Sequence, residues 1–174
     1  MRKTIITLIS ATVLTGLISC GGNKSEAIVA PEGMNTLNLN RFGKPFAIFV
    51  PDTIANKMEI TEQSNGALDI KVGKAFAISI NEQAADIEMR KQDIKDDEVN
   101  KFKSYIAEEP NAIMWESEIV KPEFHFLINQ KVGSADYNFE DIRDTESNTL
   151  SKDAIQKMFD SAKNIKEIKN DHKS

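Results

Sequence analysis

The chain holds one cysteine, Cys20, in 174 residues, so no disulfide can form within it, even in an oxidising compartment. Histidine is almost as scarce, with His125 and His172 the only two. No cluster of His and Cys has the spacing of a zinc centre, and few side chains remain that titrate near neutral pH as a general base would. Basic residues are outnumbered, 22 Lys and Arg against 27 Asp and Glu. That balance argues against nucleic acid, whose phosphates require clustered cations, and against an electrostatic grip on anionic lipid. There is no Gly-x-Ser-x-Gly nucleophile elbow and no glycine-rich loop to cradle phosphate. The main apolar run, Ile5 to Ile18, is interrupted by Thr7, Ser10, Thr12, Thr15 and Gly16. It falls short of the ~20 apolar residues that span a bilayer as a helix. A chain of this length buries about two thirds of its unfolded surface, so no metal or cofactor is required for folding and none is expected.

What is present begins at the N-terminus. Arg2 and Lys3 form a positive n-region, Ile5 to Ile18 an apolar h-region, and small Ser19 precedes Cys20. This is the architecture of a secretory signal peptide. The quartet Leu17-Ile18-Ser19-Cys20 resembles the lipobox of bacterial lipoproteins. The resemblance implies cleavage before Cys20, diacylation of its thiol and, usually, acylation of the new amino group. A soluble secreted protein with an incidental Cys is the alternative. One acyl chain holds a membrane only marginally, whereas two or three give a durable anchor. Loss of Arg2 and Lys3 leaves 20 basic against 27 acidic side chains, a net charge of −7 with His neutral. Gly21 stands where an Asp would resemble an inner-membrane retention signal, so the outer membrane is favoured over the inner.

Residues 1–19 are thus expected to be a signal peptide, 20–36 a lipidated flexible tether, 37–168 one globular domain and 169–174 a tail. Within the domain, Phe46, Ile48 and Val50 share one parity between Pro45 and Pro51, the pattern of a strand. KMEITEQ and ALDIKV flank Ser64-Asn65-Gly66 and predict a hairpin with Met58 opposite Val72, Ile60 opposite Ile70 and Glu62 opposite Leu68. Gly73 permits a bend, after which Phe76, Ile78 and Ile80 continue the strand. Residues 82–109 read as helical: Ile87 and Ile94 lie seven apart, and Val99, Phe102 and Ile106 follow i, i+3, i+7 in a second helix capped by Asp96 or Asp97 and ended by Pro110. IMWESEI predicts a strand beside EFHFLINQKV. The latter places Phe124, Phe126, Ile128 and Val132 on one face and turns at Gly133-Ser134, pairing Val132 with Ala135, Gln130 with Tyr137 and Ile128 with Phe139. A closing helix starts at Lys152, with Ser151 as N-cap and Leu150 and Ile155 as a hydrophobic staple. KEIKNDHKS reads as a frayed end.

The order strands, helices, strands, helix predicts an α+β domain, an antiparallel sheet with helices packed against it. It resembles the PsbP-like fold of photosystem accessory proteins and several bacterial lipoproteins, over residues 42–168. The resemblance implies a binding or assembly factor.

Candidates for chemistry are few. His125 has the opposite parity to Phe124 and Phe126, and the hairpin register brings it near Ile142, with Asp141 and Arg143 close by. It is either a satisfied strand histidine or, with a carboxylate, the general base of a hydrolase. Asp144, Glu146 and Asn148 alternate like the start of a calcium loop, but Thr149 and Ile155 stand where that motif needs Gly and Glu. Trp115, Tyr105 and Tyr137 suit core packing or a binding platform. The expected function is a non-catalytic, lipid-anchored binding or assembly module of the cell envelope. Its partners would be the membrane, through acyl chains on Cys20, and an envelope protein.

Overall fold

The computed structural model describes residues 29–54, 56–143 and 150–168. Their elements are β1 (Met34–Asn38), β2 (Phe46–Pro51), β3 (Met58–Glu62), β4 (Leu68–Val72), β5 (Phe76–Asn81), α1 (Ile87–Asp96), β6 (Lys101–Glu109), β7 (Ala112–Glu118), β8 (Pro122–Val132), β9 (Ala135–Asp141), α2 (Lys152–Lys163) and β10 (Lys166–Glu167). Seven strands form one antiparallel sheet in the order β3-β4-β5-β9-β8-β7-β6, and three form a second, β1-β2-β10. The expected mixed class, antiparallel strands with helices against them, is what the chain adopts.

Two hairpins set the register of the large sheet. In the first, Met58, Ile60 and Glu62 face Val72, Ile70 and Leu68 as the alternation predicts, and Gly66 takes φ 85° in the turn. In the second, Gly133 takes φ 61°, a left-handed angle that only glycine adopts cheaply, and Val132 meets Ala135 while Ile128 meets Phe139. Residues of like parity therefore meet across neighbouring strands and build one continuous apolar face. Leu68, Ile70, Phe76, Ile78, Ile80, Met114, Phe126, Ile128 and Phe139 form its centre, all at most 1% exposed. Helix α2 covers this face with Ile155, Met158, Phe159 and Ala162, and β2 contributes Phe46, Ile48 and Val50. The Ser151 hydroxyl accepts from the Ala154 N–H at 3.2 Å, as expected of an N-cap.

The opposite face is apolar only at the β6-β7-β8 end. There Ile113, Trp115 and Leu127 pack with Ile87 and Ile94 of α1, which are seven residues apart and on one side of the helix. The Asp86 carboxylate caps α1 by accepting from the Met89 N–H at 2.9 Å.

Several expectations are corrected. Residues 101–109 form a strand, not a second helix. Register shifts between Phe102 and Ser104 and between Tyr105 and Ala107 insert extra residues into β6. Such bulges put Phe102 and Tyr105, three apart, against the same cluster, so a bulged strand carries helix-like spacing. Ile106 packs against the other core, and Val99 is 70% exposed. At Gly73, φ 59°, the chain reverses rather than bends. Phe76 pairs back with Val72 and Ile78 with Ile70. The fold begins at Met34, inside the stretch read as tether. The end read as frayed contributes β10, where Lys166 pairs with Ala47 and the Ile168 N–H donates to the Pro45 carbonyl at 2.8 Å. No helix among the described residues is long and apolar enough to cross a membrane.

Candidate functional site

His125 stands where the sheet opens. The β8–β9 ladder ends at Leu127 and Glu140, while β9 runs on beside β5 as far as Asp141. In the gap the Asp141 carboxylate replaces the missing ladder partner: one oxygen accepts from the Phe126 N–H at 2.8 Å and the other meets His125 Nδ1 at 2.8 Å. A carboxylate accepts, so Nδ1 carries the hydrogen and Nε2 is the remaining nitrogen. Nε2 lies 3.7 Å from Glu123 Oε2, beyond hydrogen-bond distance. The Trp115 ring leans over the imidazole at 5.3 Å between centroids. The side chains of His125 and Asp141 are each 6% exposed.

A carboxylate that fixes the tautomer of a histidine has the orienting geometry also used in catalytic triads. Among the described residues no nucleophile is hydrogen-bonded to the imidazole. His125 Nε2 is buried without a partner, and so is the hydroxyl of Ser117. Ser117 sits two pairs along β7 from Trp115, the cross-strand neighbour of His125. Neither atom reaches the other, and neither reaches solvent. Asn100 Oδ1 and the Tyr105 hydroxyl are likewise buried without partners, so the β6-β7-β8 end concentrates unsatisfied polar groups that other folds satisfy or avoid. The charge of Arg143 is felt at Asp97. The backbone N–H groups of Asn100 and Val99 hold that carboxyl below its ordinary value, and the Arg143 charge adds to the effect.

Of the aromatic candidates, Trp115 and Tyr137 lie in the core and Tyr105 is half-buried. Trp115 and Tyr137 are both 2% exposed, and Tyr137 meets Phe46 edge-on at 4.9 Å. Burial raises the Tyr137 phenol above its usual range, helped by the charge and the hydrogen bond of Glu82. Tyr105 is raised by burial and, secondarily, by Glu108. Among the described residues no three His, Cys, Asp or Glu side chains are placed to hold a metal ion. Cys20, His172 and Asp144 to Asn148 lie outside the described residues.

A second feature was not legible in the sequence. A cleft of ≈ 550 Å³ opens between the start of β1, the end of β2 and the last turns of α2. Its lining comes from three separate segments, so no local motif marks it. Comparison with protein-family models, with curated proteins and with solved structures returned no match.

Proposed function

We propose that this protein is a lipid-anchored envelope lipoprotein, held to the outer membrane through acyl chains on Cys20, that acts as a non-catalytic binding or assembly module. Residues 1–20 support the anchor: n-region, h-region and the lipobox-like Leu17-Ile18-Ser19-Cys20 coincide with the single cysteine. The observation that carries the non-catalytic reading is the burial of His125 Nε2. A general base must come within ~2.6–3.2 Å of the proton it abstracts, and among the described residues this buried nitrogen has no hydrogen-bond partner. The antiparallel sheet closed by a C-terminal helix supports kinship of architecture with the PsbP-like fold, whose members mostly bind or assemble.

A hydrolase centred on His125 is the competing reading, favoured by the 2.8 Å bond to Asp141. The two separate on His125→Gln, which retains a polar side chain of similar reach. General acid–base catalysis contributes ~10²- to 10⁴-fold in rate, so an enzyme would lose its cellular role. The binding module keeps that role in a folded, anchored His125→Gln protein. Loss of the phenotype in such a protein would overturn the non-catalytic reading.

A further inference from the structure

The cleft beside the chain's entry into the domain has the size of a small-molecule site, ~300–1,000 Å³, at ≈ 550 Å³. Its lining combines apolar Val29, Met34 and Phe49 and two prolines with Lys157 and Lys166. Phe49 is 5% exposed and Val29 83% exposed, so the wall runs from the buried core out to the surface. The Ser161 hydroxyl donates to the Phe49 carbonyl and pins the end of α2 to β2 at the cleft floor. Both lysines are exposed, and neither belongs to an ion pair of the described residues. The lining acids are Asp160, whose carboxylate is engaged by the Gln156 amide at 3.0 Å, and Glu32 at the rim.

We propose that this cleft binds a single-chain anionic amphiphile, a fatty carboxylate whose hydrocarbon lies along Met34 and Phe49 and whose head group meets Lys157 and Lys166. The apolar wall suits hydrocarbon, and two uncommitted ammonium groups suit one carboxylate. The source follows from the anchor, so the inference deepens the proposed function and rests on it. Nine residue steps separate Cys20 from cleft-lining Val29, and each spans at most ~3.3–3.6 Å. An acylated Cys20 therefore keeps the cleft within ~30 Å of the bilayer surface, where such molecules reside.

The test is titration of the full chain carrying Cys20→Ser, free of detergent, with palmitate and separately with hexadecanol, which has the same chain length and no charge. The expected result is saturable binding of one palmitate per chain and binding of hexadecanol at least ~10-fold weaker. Reversal of both lysines, Lys157→Glu with Lys166→Glu, should weaken palmitate ~10-fold or more, and Met34→Asp should abolish saturable binding. Lys157, Lys166 and Met34 are exposed or half-buried, so unchanged melting curves would show that the variants still fold. Absence of saturable palmitate binding overturns the inference. Equal affinity for hexadecanol or indifference to the lysine reversal does the same, as does a chain dimer that masks the cleft in sedimentation. Cys20→Ser leaves the cleft intact, so failure here leaves the anchor standing, and failure of acyl labelling at Cys20 leaves palmitate binding to be judged by itself.

Discussion

Replacement of Asp141 by Ala tests the reading of the buried pair most sharply. The Asp141 carboxylate is the sole acceptor described for two donors, the Phe126 N–H and His125 Nδ1–H, both at 2.8 Å and both buried. Truncation strands both. A buried donor left without a partner costs about 1–3 kcal/mol, so Asp141→Ala should lose about 2–6 kcal/mol, reduced by whatever desolvation the carboxylate itself had suffered. For a chain of this size each kcal/mol moves the melting temperature by about 2–4 °C; a loss of 3 kcal/mol would lower it by about 6–12 °C. Asp141→Asn gives the control. Its amide oxygen still accepts from Phe126, while its NH₂ requires His125 to move the hydrogen to Nε2, which then faces Glu123. That variant strands one buried donor rather than two and should lose about 1–3 kcal/mol, less than Asp141→Ala. Urea denaturation of the three proteins measures the differences. If Asp141→Ala melts within 2 °C of the parent, the carboxylate does not hold the open end of the sheet and the reasoning fails.

Two further outcomes follow from the fold. Gly133→Val forces a β-branched residue to φ 61° in a turn where an added Cβ meets nothing within 4 Å. The cost is therefore conformational, about 1–3 kcal/mol, and an unchanged midpoint would refute the turn. Both tyrosines of the chain, Tyr105 and Tyr137, are raised above the ordinary phenol value of 10.0. A raised acid gives stability that is complete below the unfolded value and is lost as pH rises through the folded one. Phenolate absorbance of the folded protein should therefore lag that of the unfolded chain as pH rises past 10.0. A folded protein whose phenols titrate at or below the pH of the unfolded chain's would contradict the burial argument.

Strand pairing was legible where glycine and alternation agree. Gly66 and Gly133 mark turns, and Ile60, Ile70, Ile128 and Phe139 allow only one register that buries both partners. The reversal at Gly73 was hidden because its three-residue loop pairs Val72 with Phe76, leaving the parity of the apolar residues unchanged, as an unbroken strand would. Strand β6 was hidden by its bulges, which space Phe102 and Tyr105 as a helix spaces its buried face. A strand of two residues, Lys166–Glu167, has no period to read. At the site, the register placed Asp141 near His125, but not its carboxylate in the ladder's place. That substitution depends on β8 and β9 parting beyond Leu127 and Glu140, a tertiary event without local signature. The cleft joins segments up to 137 residues apart, Val29 to Lys166, and lies beyond any reading of neighbours along the chain.

Acyl labelling at Cys20 tests the central claim most directly. Cells supplied with a palmitate analogue should incorporate it into the wild-type protein and sediment the protein with their membranes. Cys20→Ser should abolish the label and release the protein, because no second cysteine exists to accept an acyl group. A Cys20→Ser protein that still carries the label, or that stays with the membrane, would contradict the account of a lipid-anchored module.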